Sequence, residues 1–188
     1  MELHISWWLL LALVSVSFGD TIQARIRGID LFELHFPVNW KSQSMMGSGA
    51  KQADFFIEHG GNWTADAYTL PGVLEMEGNI AGKLCHGMTP TEITDWMLDF
   101  SNRYKSRTGR PPILFLSAGW WAKCADNNAT FGADHALWLA NWAEEMGTLP
   151  AGWKEATFWQ YAGWDENGGE ANVFLGSSKE LVEFAIGS

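Results

Sequence analysis

Short continuous apolar runs recur along the chain, separated by polar and glycine-rich stretches. Runs of this kind are typical of strands buried in a parallel sheet, where neither face meets water. The first predicted strand ends in an acid, Asp30, and later runs follow at intervals that leave room for helices. The strands predicted in this way are 24–30, a run ending at Leu74, 113–117, 136–140, 156–161 and 172–175.

Apolar positions with helical spacing lie between these runs. The segment 50–59 has this spacing and stops at Gly60 and Gly61, which suit a helix C-terminus. A second helix is expected to open at Thr89-Pro90, and a terminal helix to be capped by Ser177. The alternation of strands and helices predicts an α/β fold, with a barrel favoured over an open sheet.

The run that passes Leu74 ends in two acids, Glu75 and Glu77. On a strand, side chains at i and i+2 leave the same face, so both carboxylates would point together from the C-terminal end. In barrel enzymes this is the end where catalytic side chains collect. Two strand steps separate the backbone positions by roughly 6.6 Å, within the roughly 5 to 9.5 Å of paired glycosidase carboxylates. A strand end whose acids simply face water explains this motif equally well.

Composition narrows the class of ligand. The chain has 12 tryptophans, and a cleft rich in indoles suits carbohydrate, because sugar rings stack their C–H faces on indoles. The alternative, for any single tryptophan, is a place in the core. The net charge of −10 argues against nucleic acid, whose binding depends on Lys and Arg, and favours a neutral glycan.

The first residues are typical of a targeting signal. Positions 5–16 are almost wholly apolar, and Ser17 and Gly19 supply small residues before a cleavage site. We predict a signal peptide at 1–19 and an exported domain at 20–188; an uncleaved membrane anchor is the alternative. Two glycosylation sequons, at Asn62 and Asn128, agree with secretion.

The cysteines and histidines indicate which disulfides and metal sites the chain can form. Cys85 and Cys124 fit one disulfide in an oxidising compartment, although a chance pair of buried thiols is the alternative. The histidines are scattered and form no metal-ligand pattern, so we expect neither metal nor cofactor.

Several short segments of the chain form a set with a characteristic order and spacing. They are Gly28-Ile29-Asp30, Val38-Asn39-Trp40, His59-Gly60-Gly61-Asn62-Trp63, Thr69-Leu70-Pro71-Gly72, Glu75-Met76-Glu77-Gly78, Gly109-Arg110-Pro111-Pro112, Leu137-Trp138-Leu139-Ala140 and Phe158-Trp159-Gln160-Tyr161. Together they resemble glycoside hydrolase family 25, the Chalaropsis-type lysozymes, and especially its secreted fungal branch. Cys85 and Cys124 stand where that branch places its disulfide.

The resemblance implies an irregular TIM-like α/β barrel that cleaves the β-1,4 bond between N-acetylmuramic acid and N-acetylglucosamine in peptidoglycan. Asp30 matches the acid of the family's first strand, and Glu77 matches its proposed general acid. Glu75 stands where the family has Asp. Asn172 replaces a further family Asp, which weakens the acid cluster because an amide cannot carry charge.

The candidate site residues follow from these matches. The catalytic candidates are Glu77, Glu75 and Asp30, and the candidate substrate-binding residues are Trp138, Trp159, Tyr161 and Asn172. The expected partner is bacterial cell-wall peptidoglycan, bound by a monomer that contacts neither nucleic acid nor, after signal cleavage, a membrane.

The chain departs from the family between Trp40 and Gln52. The family usually has a helix and two strands there, whereas this chain has about ten linking residues, too few for one βαβ crossover. We therefore predict an incomplete barrel that lacks about two strands and leaves sheet edges exposed. Two hypotheses stay open: a secreted muramidase, and a degenerate family member that only binds glycan. A structural cell-surface protein is a third class, supported only by the acidic charge and the sequons.

Overall fold

A computed structural model describes residues 27–30, 48–78, 82–164 and 169–188, the first of these ranges by its backbone alone. The predicted signal peptide and the Trp40 side of the predicted gap lie outside the described residues. Across the described ranges, no helix has both the length and the apolar composition that crossing a bilayer requires.

Strands and helices alternate along the described chain, which confirms the predicted α/β fold. The strands are β1 (Arg27–Asp30), β2 (Val73–Met76), β3 (Ile113–Leu116), β4 (Leu137–Ala140), β5 (Phe158–Ala162) and β6 (Glu170–Phe174). The α-helices are α1 (Gly49–Phe56), α2 (Pro90–Thr108), α3 (Ala118–Cys124) and α4 (Ser178–Ile186). A π-helical turn, Ile57–Gly61, continues α1, and a 3₁₀ turn, Thr130–Ala133, precedes β4. Each predicted strand overlaps an observed strand, but β2 continues to Met76, two residues beyond its predicted end at Leu74. The helix α3 is an addition that the pattern did not predict.

Helix ends follow the capping residues. The Thr89 side chain accepts a hydrogen bond from the Glu92 backbone N–H, and the Glu92 carboxylate accepts one from the Thr89 backbone N–H at 2.7 Å. Ser177 and Glu180 repeat this reciprocal capping box at α4. Each box satisfies backbone donors that a helix start otherwise leaves unpaired, so both helices begin where the sequence predicts.

The six described strands form one sheet in the order β1-β6-β5-β4-β3-β2. Strands β2 to β5 are parallel, whereas β6 runs antiparallel to both of its neighbours, β5 and β1. Within the described part of the chain, β1 and β2 are therefore the two edges of an open, mixed sheet. β1 and β2 are consecutive among the described strands but lie at opposite edges of the sheet. A barrel opened between these two strands would have this arrangement, which agrees with the predicted incomplete barrel.

The two faces of the sheet bury different cores. Leucines and Met76 on one face pack against α1, α2 and α3; we call this the helix-side face, and its strand residues are Leu74, Met76, Leu114, Leu116, Leu137 and Leu139. The opposite face packs against Leu181 and Phe184 of α4. The strand register and the alternation of side chains assign this inner face its members, Val73, Glu75, Ile113, Phe115, Trp138, Phe158, Gln160, Asn172 and Phe174.

Cys85 and Cys124 are bonded to each other, with their Cα atoms 5.2 Å apart, which confirms the disulfide. The bridge joins the segment after β2 to Cys124, the last residue of α3. It therefore fastens the chain beyond Glu77 to a helix of the core.

Tyr104 of α2 is fully buried, and its hydroxyl links two chain segments that precede β2. The hydroxyl donates to the Gly61 carbonyl at 3.0 Å and accepts from the Gly72 backbone N–H at 2.7 Å. Burial raises the pKa of this phenol above its usual value, so it stays neutral. The π-helical turn and the entry to β2 are thus held by one side chain.

We predict that Tyr104→Phe lowers the free energy of unfolding by about 1 to 3 kcal/mol, because it leaves a buried N–H and a carbonyl without this partner. Urea unfolding measures the change. The matched control is Tyr68→Phe, since Tyr68 is 90% exposed and should change stability by less than about 0.5 kcal/mol. Equal effects at the two positions would contradict the role assigned to the Tyr104 hydroxyl.

Candidate active site

Four acidic positions lie at the same end of the strands, two on each side of the sheet. The carboxyl ends of the parallel strands lie at this end, and the antiparallel β6 brings its amino end there. Glu75 lies in β2, Glu77 directly follows it, and Glu170 begins β6. Asp30 ends β1 and pairs in backbone register with Glu170, although its side chain lies outside the described residues. We call this group the acid rim.

The inner face changes from apolar to polar toward the acid rim. Its far end, with Val73, Ile113 and Phe174, is covered by α4. Phe115 and Trp138 form an aromatic middle, with ring centroids 6.0 Å apart. At the rim Glu75 is half-buried and Glu77 is exposed. Apolar residues therefore close one end of this face, and carboxylates lie at the other end, where a ligand can reach them.

Trp138 and Asn172 meet across the inner face. The Trp138 indole N–H donates to Asn172 Oδ1 at 2.8 Å, and its ring stacks on Phe158 with centroids 5.0 Å apart. Trp138 belongs to β4 and Asn172 to β6, so the contact reaches over the intervening β5. Side chains of this face converge, as they do on the concave side of a curved sheet.

Asn172 uses both ends of its amide. Its Nδ2 donates to the Glu170 backbone carbonyl at 3.1 Å, while Oδ1 accepts from Trp138. An Asp at this buried position would present an oxygen to that carbonyl instead of a donor. The structure thus fits an amide at 172, and the carboxylate of Glu170, two residues earlier, adds an acid that the sequence interpretation had left out of the cluster.

Gln160 holds the Glu170 carboxylate. Its side chain is only 1% exposed, its Nε2 donates to Glu170 Oε2 at 2.8 Å, and its Oε1 accepts from the Trp142 indole N–H at 2.8 Å. The sequence interpretation did not single out Gln160, Trp142 or Glu170. The available signal was a glutamine inside an otherwise apolar strand, because a buried amide needs partners for both of its ends.

The backbone at Glu77 is fixed by the disulfide-bonded segment. His86 Nε2 donates to the Glu77 carbonyl at 2.8 Å, and His86 directly follows Cys85, which is bonded to α3. The segment after β2 is therefore tied back onto the strand end that carries Glu77. This contact gives His86 a role in positioning the strand end that carries Glu77.

The four substrate-binding candidates separate into two pairs. Trp138 and Asn172 share the inner face, whereas Trp159 pairs in register with Leu139 of the helix-side face. The Trp159 ring lies 5.7 Å from the Tyr161 ring, and its N–H donates to the Asn141 carbonyl at 2.9 Å. Trp159 therefore lies on the other side of β5 from the inner face, with the Tyr161 ring beside it, and a ligand-binding role for both stays a prediction.

The acid rim suits acid–base chemistry. Glu75 and Glu77 are two residues apart, and a carboxyl close to another carboxylate is more readily protonated, which leaves one group to donate a proton and another to carry negative charge. Among the described residues, no group of three or more His, Cys, Asp or Glu side chains is placed to hold a metal ion. The described site thus offers carboxylates, amides and aromatic rings as its chemical groups.

Comparison with known proteins identifies what this arrangement is similar to. The model of the glycosyl hydrolases family 25 matches residues 22–169. The N,O-diacetylmuramidase of Arthroderma benhamiae is 40% identical over 140 residues, which are 74% of this chain and 60% of that protein. The N,O-diacetylmuramidase of Chalaropsis sp. is 40% identical over 141 residues, covering 74% and 67% of the two chains.

Solved structures agree with these relatives. The muramidase from Acremonium alcalophilum has a TM-score of 0.74 and 39% identity, covering 76% of this chain and 68% of that one. The chain spans less than two thirds of the length of the Arthroderma protein, since it covers 60% of it.

We predict that Gln160→Met, which keeps side-chain volume but removes the amide, releases the Trp142 indole N–H. Hydrogen exchange of that N–H, followed by NMR, should become about tenfold faster or more. The Trp159 N–H is the internal control, because it donates to a backbone carbonyl and should keep its rate. An unchanged Trp142 rate would show that Gln160 does not hold this indole.

Proposed function

Because the chain belongs to the glycosyl hydrolases family 25, we propose that it is a secreted muramidase of bacterial peptidoglycan. It would hydrolyse the β-1,4 bond between N-acetylmuramic acid and N-acetylglucosamine. The observation that supports the proposal is the acid rim, in which Glu75, Glu77 and Glu170 lie at the same end of the strands. The names of the related muramidases support the same substrate.

Glu77 is the proposed general acid. It lies at the exposed rim, where it can reach the oxygen of a glycosidic bond, and Glu75 lies two residues before it. As the bond between the sugar C1 and the bridging oxygen breaks, Glu77 donates its proton to that oxygen. Water then adds its hydroxyl to C1 and returns its proton to a carboxylate, so the enzyme is regenerated.

Glu75 and Asp30 supply negative charge in the proposed mechanism. The transition state of glycoside hydrolysis is oxocarbenium-like, and an ionised carboxylate nearby stabilises its positive charge. Trp138 and Asn172 form the proposed wall of the cleft, where their mutual hydrogen bond at 2.8 Å keeps the indole in place. Glu170, held by Gln160, adds a further charge at the same rim.

Export completes the proposal. The disulfide between Cys85 and Cys124 is typical of proteins that leave a reducing compartment. We infer a removed signal peptide at 1–19 and one catalytic domain at 20–188 that works as a monomer on the cell wall. N-terminal sequencing of exported protein tests the cleavage site.

A glycan-binding protein without turnover is the second candidate, and the open sheet favours it. Glu75 belongs to β2, which is an edge strand within the described part of the chain. In a closed barrel the neighbouring strand would contribute part of the cleft wall beside this residue. Glu75 also has one methylene more than the Asp that the family resemblance implies, and a shift of about 1 Å can cost on the order of 100-fold in rate.

We predict that Glu77→Gln removes nearly all clearing of bacterial cell walls, a loss of about 10²- to 10⁴-fold, because Gln keeps the size of the side chain but has no proton to donate. Turbidity of a wall suspension measures the activity. The matched control is Glu155→Gln, an exposed acid just before the amino end of β5, which should keep full activity. Full activity of Glu77→Gln would overturn the assignment of the general acid.

We predict that Glu75→Asp leaves the turbidity rate unchanged or raises it, because it restores the shorter side chain that the family resemblance implies. A loss as large as that of Glu77→Gln would show that the longer Glu is suited to this cleft. If the parent protein sediments with cell walls but clears none, and Glu75→Asp does not restore clearing, the binding-only function is the correct one.

A further inference from the structure

A second concave surface lies at the carboxyl ends of β4 and β5, apart from the acid rim. It is an open groove of about 540 Å³. We call it the tryptophan groove; its lining residues are Trp142, Ala143, Glu144, Trp159, Tyr161, Ala162 and Gly163. None of the rim glutamates lines it, so it is a separate place for a ligand.

Internal hydrogen bonds fix both indoles of the groove. The Trp142 N–H donates to Gln160 Oε1 at 2.8 Å, and the Trp159 N–H donates to the Asn141 carbonyl at 2.9 Å. With both N–H groups used inside the protein, the indoles can offer a ligand only their apolar rings. Trp142 is nevertheless 63% exposed, which is a large apolar surface for one side chain to leave in water.

Gly163 gives Trp142 a second constraint. A Cβ atom at position 163 would lie 2.8 Å from atoms of the Trp142 ring, well inside van der Waals contact. The ring therefore lies directly on the backbone of Gly163. A hydrogen bond at one edge and a close backbone contact on the ring hold the indole in one orientation before any ligand arrives.

The lining chemistry selects the class of ligand. Rigid aromatic faces stack against the C–H faces of a pyranose, and the exposed carboxylate of Glu144 can accept hydrogen bonds from sugar hydroxyl or amide groups. The one charged lining residue is an acid, which disfavours anionic ligands. A groove of this volume is within the usual range for small ligands, roughly 300 to 1,000 Å³.

We propose that the tryptophan groove is an accessory saccharide site, which binds a neutral N-acetylated pyranose of the glycan chain away from the bond that is cleaved. The inference rests on the proposed function for the identity of the glycan. The hydrogen-bonded chain Trp142, Gln160 and Glu170 connects the groove to the Glu170 side of the acid rim beneath the surface. One glycan strand would thus be held at two places at the same end of the strands.

The test titrates a tetramer of N-acetylglucosamine into Glu77→Gln protein, in which the ligand is not consumed. The indole signals of Trp142 and Trp159 report on the groove by NMR, and that of Trp138 reports on the cleft. The groove signals should shift with saccharide. Tyr161→Ala should weaken the binding seen at Trp142 about tenfold, the equivalent of about 1.4 kcal/mol, while leaving the binding seen at Trp138 unchanged.

Two further variants keep the test decisive. Trp164→Ala is the matched control, because Trp164 is 74% exposed but does not line the groove, and it should bind like the parent. Gly163→Ala, which pushes the Trp142 ring aside, should weaken binding even if Tyr161→Ala does not fold. Groove signals that stay still with saccharide, that move instead with an apolar peptide, or that are insensitive to both variants would overturn the proposal.

The result is separable from the proposed function. Wall clearing that survives Glu77→Gln would refute the catalytic assignment and leave the groove titration intact. Conversely, a silent groove with a Glu77-dependent activity would refute the accessory site alone.

Discussion

The antiparallel direction of β6 is the constraint on which the acid rim depends. Because β6 runs opposite to β5 and β1, its amino end, with Glu170 and Asn172, lies at the edge where its neighbours end. A parallel β6 would carry these two residues to the end of the sheet that α4 covers. Backbone pairing alone thus decides that Glu170 meets Gln160 and that position 30 lies opposite Glu170.

Buried amides then connect this edge to its surroundings. Gln160 and Asn172 are 1% and 3% exposed, so each must find partners for its donor and its acceptor within the protein. Gln160 joins Trp142 to the Glu170 carboxylate, and Asn172 joins Trp138 to the Glu170 backbone. Hydrogen bonds therefore connect the cleft wall, the acid at 170 and the tryptophan groove.

The sequence predicts those features whose cause is local. Apolar runs predict the strands because burial on both faces excludes polar side chains, and Thr89 with Glu92 predicts the start of α2 because a capping box involves only four consecutive residues. The pattern did not predict α3 because seven residues make only about two turns, too few for a helical period to be recognised. The sequence did not predict which face of the sheet Trp159 occupies, because a tryptophan can lie on either face of a strand. Its pairing with Leu139 shows the face. The fit of an amide at 172 needs the Glu170 carbonyl, a partner that appears only when β6 forms.

The open edge at β2 is the main physical argument against turnover, and the acid rim is the main argument for it. The chemical identity of the product distinguishes most directly between a muramidase and a glycan-binding protein without turnover. Purified peptidoglycan is incubated with the protein, the new reducing ends are reduced with borohydride, and the sugar alcohols are identified by mass spectrometry. A muramidase leaves N-acetylmuramic acid at the reducing end, so reduced muramic acid is the predicted product. New ends that carry only reduced N-acetylglucosamine, or no new ends above a Glu77→Gln control, would contradict the account.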